Sequence, residues 1–347
     1  MDDSVKYLIL SVITLVILVF FVATAEFGRM LDSFTSLRLN FLMPALALYL
    51  LSLIFRTYRW KLLLGNRDDV SSYNLFQAVC IGYMVNNILP MRIGEFVRAY
   101  FLGSKHNINK ATVLVTIFVE RILDAIVLIG FLLIVIGLNA QTLLKGFAQQ
   151  YLTWGLLVLI GFFVTMFVLM VYSAHDPVLI RKSTKIITLI APNRFKSRLI
   201  NFNDFVESGL SSVRSSRSLL VLILASIPVW ISEITVFCII GYAMGFLQFY
   251  NNDYLNLFSS MTLVTALANL VSSIPSSPGG VGIFELTVRE VLLFDTSNLV
   301  DRSTGAAFAV IVHGILIIPV TVGGQLLLWS NNLSLRQLIA SKKQSDL

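Results

Sequence analysis

Charge is scarce in this chain. Of its 347 residues 13% are charged and 56% hydrophobic, where a soluble domain carries about a quarter charged residues. That scarcity excludes a large soluble catalytic domain, because no soluble-looking stretch exceeds 173–217. Cysteine is nearly absent as well. Cys80 and Cys238 both lie inside apolar segments, read as small buried hydrophobes, and no metal-ligand spacing exists. A Walker A motif is missing, as are a nucleotide loop and a nucleophile–base pair, so no catalytic residue, metal or cofactor is expected. The N-terminus MDDSVKYLILSV lacks a basic leader and an obvious small-residue cleavage site, so its apolar run reads as a retained anchor.

What the chain has is long apolar runs. Residues 7–25, 41–55, 111–138, 151–172, 218–246 and 302–329 are read as crossings, several of them reaching the roughly 18–20 residues a membrane helix needs. The fold class is an all-α polytopic membrane protein, one integral membrane domain over 1–347. The net charge of +7 reads as membrane topology and not as nucleic-acid binding, since the basic residues fall between apolar runs.

Two regions, 73–102 and 254–297, are too broken for this scheme. Thirty residues give about 45 Å of helix, too little to cross a core of about 30 Å twice. Arg56, Arg59, Lys61 and Arg67 precede the first region, and Lys105 and Lys110 follow it. Both flanks therefore count as cytoplasmic, and the element enters and returns. The same counting puts 139–150 and 247–253 outside, and 173–217 and the C-terminal tail inside. Region 254–297 then re-enters from the opposite face. Six crossings plus two opposed broken hairpins result, in the cell (inner) membrane, with both termini cytoplasmic. Within 173–217, Phe195, Leu199, Phe202, Val206, Leu210 and Val213 recur at helical steps among basic residues. That pattern suits an amphipathic helix on the inner leaflet or one packed on the bundle.

The two broken regions share a short core, Pro90-Met-Arg-Ile-Gly94 and Pro278-Gly-Gly-Val-Gly282. An acidic residue (Glu95, Glu285) follows each, then an arginine one turn on (Arg98, Arg289). Opposed orientation and matched breaks suggest an inverted repeat, in which interrupted helices meet near mid-membrane and build a substrate site. A proline breaks the ladder, and the freed amides of the following half-helix would suit an anion. Gly94, Gly279, Gly280 and Gly282 would let backbone approach it. The third crossing carries Glu120, Arg121 and Asp124, each costing about 2.5–3.5 kcal/mol at mid-helix on insertion scales. They read as an ion-pair lock, a headgroup pathway, or both. Glu233 and His313 are candidates for a proton relay, Glu233 equally for pairing and His313 for a satisfied structural histidine. Ile129 is expected to face lipid.

NNILPMRIGEFVRAYFLG, VERILD and SSIPSSPGGVGIFE resemble the three signature blocks of the lysylphosphatidylglycerol synthase transmembrane-region family. These are flippase-like membrane proteins that include the membrane part of the multiple peptide resistance factor. The blocks occur in the family's order, and the resemblance covers roughly 7–330. It implies movement of a polar-headed lipid between leaflets. By position, the blocks mark Asn87, Pro90, Arg92, Gly94, Glu95 and Arg98, then Glu120, Arg121 and Asp124, then Pro278, Gly279, Gly280, Gly282 and Glu285. The chain stops at Leu347 without the transferase domain of the bifunctional members, so lipid aminoacylation by this polypeptide is not expected.

A lipid translocase for a phospholipid or polyprenyl-phosphate headgroup is the first reading. Arg92, Arg98 and Arg121 would hold phosphate, and Glu95, Glu120, Asp124 and Glu285 would position them, meet a cationic headgroup or couple a proton. The alternatives are a membrane-embedded lipid-modifying transferase and a scaffold for a separate lipid synthase or glycosyltransferase. The expected partners are a membrane lipid and such an enzyme, with no nucleic acid.

Overall fold

The computed structural model describes residues 16, 18–24, 27–35, 37–65, 67, 69–138, 150–176, 203–273, 277–296 and 299–331. No strand occurs among them, as expected of an apolar chain that must satisfy its backbone without water. A short helix at 18–24 (α1), with residue 16, is the described part of the first crossing; residues 7–15, 17 and 25 lie outside. There follow α2 (Phe27–Thr35), α3 (Leu42–Leu63), α4 (Ser72–Ile88), α5 (Ile93–His106), α6 (Lys110–Leu138) and α7 (Gln150–His175). The chain continues through α8 (203–209) to α9 (Ser216–Ala243), α10 (Tyr254–Ser272), α11 (Ile283–Asp295) and α12 (Arg302–Ser330).

By length and composition, Leu39–Leu63, Leu157–His175, α9, α10 and α12 can each cross a membrane. The 29 residues of α6 are as many as those of α12. The protein is an integral, polytopic membrane protein.

Two expectations need correction. The crossing assigned to 41–55 runs on to Leu63, and Arg56 and Arg59 lie buried on it, 5% and 0% exposed. They are interior charges and not the loop markers used to fix topology. Ile129, expected to face lipid, is buried at 4% exposure against α9 and α10 residues such as Trp230 and Ala266. The described part of the amphipathic segment packs on the bundle: Val213 is buried, Val206 packs against the same cluster, and Ser212 Oγ donates to Leu63 O at 2.5 Å. Phe195, Leu199 and Phe202 lie outside the described residues.

A unit of long helix, broken hairpin and long helix occurs twice, as α3 to α6 and as α9 to α12. Neighbours in the first unit have counterparts in the second: α3 packs on α4 as α9 on α10, α5 on α6 as α11 on α12. Between units, α4 lies against α12 as α10 lies against α6. The equivalents α3 and α9 pack together and run antiparallel. Arg38 N donates to Ala243 O at one end, and Arg59 Nη1 to Ser226 Oγ at the other. Equivalent helices that run in opposite directions make the repeat an inverted one.

The hairpins enter from opposite ends of the bundle. Asn74 and His106, at the outer ends of α4 and α5, are 3.0 Å apart, close to the end of α3 that Ser212 binds. Tyr250, just ahead of α10, donates to Asp295 at the end of α11, 3.0 Å away. That is the end where Arg38 meets Ala243. One apolar cluster built on Phe237, Phe246 and Phe308 fills this end, and another built on Trp60, Leu75 and Leu102 fills the opposite one. The polar residues concentrate between them.

Candidate functional site

Each hairpin breaks where its sequence removes helical continuity. Leu89 is extended ahead of Pro90, and Met91 and Arg92 take left-handed conformations, φ 61° and 52°. Such conformations cost non-glycine residues about 1–3 kcal/mol each. In the second break glycines supply the positive φ angles, Gly279 at +62°, Gly280 at +76° and Gly282 at +92°.

At the start of each half-helix that follows, one amide is taken by a side chain. Asn86 Oδ1 accepts from Gly94 N at 2.7 Å, and Glu285 Oε2 accepts from Gly282 N at 2.7 Å. Asn86 and Glu285 thus each take one of the donors that a helix start could offer an anion. Gly94 has a packing role: a Cβ there would sit 1.9 Å from Gly82 O on α4.

A buried ion network backs the first break. Glu120, 0% exposed, accepts from Arg98 Nη2 at 2.7 Å, with Arg59 at 3.3 Å. Asp124 accepts from Arg59 at 2.5 Å and from Trp230 Nε1 at 3.0 Å, with Arg56 at 3.7 Å and Arg121 at 3.8 Å. Arg56 donates to Glu233. The Arg98 guanidinium lies 3.9 Å from the Trp60 ring centroid, a cation–π arrangement that further compensates its burial. Every carboxylate here has arginine partners, which is how the chain accommodates charges that would each cost about 2.5–3.5 kcal/mol alone.

The two breaks meet across a cavity of about 180 Å³. Arg92 Nη2 donates to Ser272 O at the end of α10, 2.7 Å away. Gly279 lies against Asn87. Residues midway along the long helices complete the wall: Arg56 of α3, Arg121 of α6, Trp230 and Glu233 of α9, His313 and Ile317 of α12. Among the lining residues three arginines, Arg56, Arg92 and Arg121, face one carboxylate, Glu233. Arg92 and Arg121 keep 28% and 25% of their side-chain surface open. The Arg121 Nε and the Ser272 hydroxyl have no hydrogen-bond partner.

The structure thus divides the residues marked by sequence. Asn87, Arg92, Arg121, Gly279, Gly280, Glu233 and His313 line the cavity. Arg98, Glu120 and Asp124 lie in the network behind it. Glu95 bridges Arg92 and Arg121, each at 3.5 Å. Glu285 binds the start of α11 and His313 Nδ1, both at 2.7 Å. Sequence reasoning missed Arg56 and Arg59, and with them Tyr83, Asn86, Asn269 and Trp230. A signal existed for the arginines: Ser52, Arg56, Arg59, Trp60 and Leu63 recur at three- and four-residue steps, one buried helix face.

The chain is similar to two curated archaeal proteins. One is a UPF0104 membrane protein of Pyrococcus horikoshii, 26% identical over 342 residues, covering 90% of this chain and 96% of the relative. The other is a UPF0104 membrane protein of Methanocaldococcus jannaschii, 24% identical over 283 residues, covering 79% and 81%. No solved structure matches. The family model of the lysylphosphatidylglycerol synthase transmembrane region matches residues 7–324, and the chain belongs to that family.

Proposed function

We propose that the protein moves an anionic lipid headgroup between leaflets, through the cavity between the two breaks, while the acyl or prenyl tails stay in lipid. Family membership links the chain to lipid handling. The observation that carries the finer reading is the cavity wall, where three guanidiniums oppose one carboxylate at mid-length of the long helices. Guanidinium binds phosphate bidentately. The volume of about 180 Å³ lies below the roughly 300–1,000 Å³ of pockets that enclose a whole drug-sized ligand, so it suits a headgroup without its tails. Phosphate is the chemistry common to a phospholipid and a polyprenyl phosphate.

In this reading the hairpins are re-entrant. The bundle end that carries Lys61, Lys105, Lys110 and Arg217 is cytoplasmic by the excess of basic residues, and both termini lie on that side of the cell membrane. Arg98, Glu120 and Asp124 hold the wall, and Arg92 and Arg121 meet the headgroup. A separate lipid synthase or glycosyltransferase would supply or use the cargo. The test is mass spectrometry of lipids that co-purify with the protein. A phosphate-bearing lipid should accompany the wild type and be lost from Arg92→Ala. Equal recovery from both would remove Arg92 from the site. Product formed in liposomes would instead favour a transferase.

A further inference from the structure

His313 sits on the cavity wall, 4% exposed, and both of its ring nitrogens are engaged. Nε2 lies 3.1 Å from Gly279 O, and Nδ1 lies 2.7 Å from Glu285 Oε1. A carbonyl oxygen only accepts, so Nε2 carries a hydrogen. A neutral imidazole would then point the bare lone pair of Nδ1 at a carboxylate oxygen. Two acceptors do not share a contact of that length without a proton between them. The other carboxylate oxygen is already committed, accepting from Gly282 N. The pair therefore holds one proton more than a neutral histidine beside an ionised glutamate.

That proton sits at a mechanical joint. Through His313 it reaches the carbonyl of Gly279, and through Glu285 the amide of Gly282, so it ties both sides of the second break to α12. Gly279 in turn lies against Asn87 of the first break. Other ionisable groups share the surroundings. Tyr49 and Arg56 of α3, Tyr83 of α4, Arg92, Arg121 of α6 and Glu233 of α9 line the same cavity. Cys80 of α4 packs in the apolar cluster that includes Phe284 and Val312. On α11, Arg289 donates to Phe21 O and Thr24 of α1 and pairs with Glu290. Helix α2, which carries Arg29 and Asp32, meets α12 through Ser33 and Thr304, about 14 Å along the helix from His313.

We propose that Glu285 and His313 form a one-proton site that docks the second break on the first, and that loss of this proton parts the two breaks. The proton exchanges with the cavity, which His313 lines and Glu285 does not. If the function proposed above holds, headgroup passage is coupled to loading and unloading of this site; the docking itself does not rest on that function.

Glu285→Gln makes the test sharp. Its amide can donate to a neutral His313 Nδ1 while its oxygen accepts from Gly282 N, which keeps every bond without a carboxyl to titrate. Acid would then add a hydrogen to Nδ1 facing the amide donor and break the contact. Two measurements on full-length protein in nanodiscs read this, from about pH 5 to about pH 10, spanning the ordinary histidine range near 6.5. The first is 15N NMR of His313 in a protein whose other histidines, His106 and His175, are replaced. The second is the separation of nitroxides at Met91 and Val281 in a background without Cys80 and Cys238.

In wild type, one proton should leave His313–Glu285 as pH rises, and the nitroxides should separate with the same midpoint. In Glu285→Gln the direction should invert, docked in alkali and parted in acid. A bare Nδ1 beside an ionised Glu285 at every pH would overturn the proposal, as would breaks that stay docked once the proton is gone. So would a Glu285→Gln protein that follows the wild-type course. If Glu285→Gln does not fold, the two wild-type measurements still decide. Should docking follow the proton while no lipid moves in liposomes, the proton site stands and the transport reading fails.

Discussion

Glu120 and Arg121 are neighbours on α6 with different surroundings. Glu120 is sealed between Arg98 and Arg59, whereas a quarter of the Arg121 side chain stays open to the cavity. Removing one partner of a buried ion pair leaves an uncompensated charge and costs about 3–5 kcal/mol. Glu120→Ala should therefore lower stability by about that amount, read as a fall in melting temperature of purified protein. Arg121→Lys keeps the charge and loses the planar fork. It should melt close to wild type and move lipid about tenfold more slowly. A fully active lysine variant would count against phosphate binding at Arg121. The charges of α6 and of the first break were legible because intramembrane charge is costly enough to demand a reason. Arg56 and Arg59 were not, because arginine near the end of an apolar run also marks a cytoplasmic face. Only the helix continuing to Leu63 separates the two meanings.

The broken hairpins are the elements that build the site. Their positions could be read from the shared pattern of proline and glycine, whereas the loop charges used for their opposed entry included Arg56 and Arg59, which lie inside the bundle. The tip chemistry could not be read. Asn86 and Glu285 occupy the starts of the half-helices, and a sequence shows neither where an asparagine on the preceding helix will reach nor which way a carboxylate turns. The length of α10 also escaped, since its 19 residues suffice to cross alone, while its last residue binds Arg92 at the cavity. Packing of α4 on α5 depends on Gly94. Gly94→Ala should fail to close the first hairpin, because its methyl would overlap the Gly82 carbonyl, and overpacking against backbone costs at least about 1–3 kcal/mol. Gly137→Ala on α6 has nothing within 4 Å. It should be neutral or gain up to about 1 kcal/mol from helix propensity. Thermal melts of the two variants make the comparison.

Eight of the described helices form an inverted pair of four-element units, whose symmetry places both breaks at one level between two apolar ends. In the orientation proposed above, the end where α3 and α5 finish, with its basic residues, is cytoplasmic. Single cysteines at Lys105 and Ser211, in a background without Cys80 and Cys238, should react with an impermeant maleimide only from the cytoplasm. A cysteine at Asn251 should react only from outside. Labelling of position 105 from outside would reverse the orientation or undo the first re-entrant hairpin.

In the proposed function a headgroup passes between the two breaks beside Gly280, which lines the cavity and where a Cβ would meet Ser272 at 3.7 Å and Phe284 at 4.0 Å. A leucine there would extend beyond those contacts and obstruct the passage, at a backbone angle of +76° that costs about 1–2 kcal/mol for a residue with a Cβ. The deciding measurement is the flip rate of chain-labelled phosphatidylglycerol and of a short polyprenyl phosphate in liposomes containing purified protein. Wild type should move at least one of them faster than protein-free vesicles do, and a Gly280→Leu protein that retains its melting temperature should reduce that rate to background. Background rates for both lipids with wild type, or an unchanged rate in the stable leucine variant, would contradict the account.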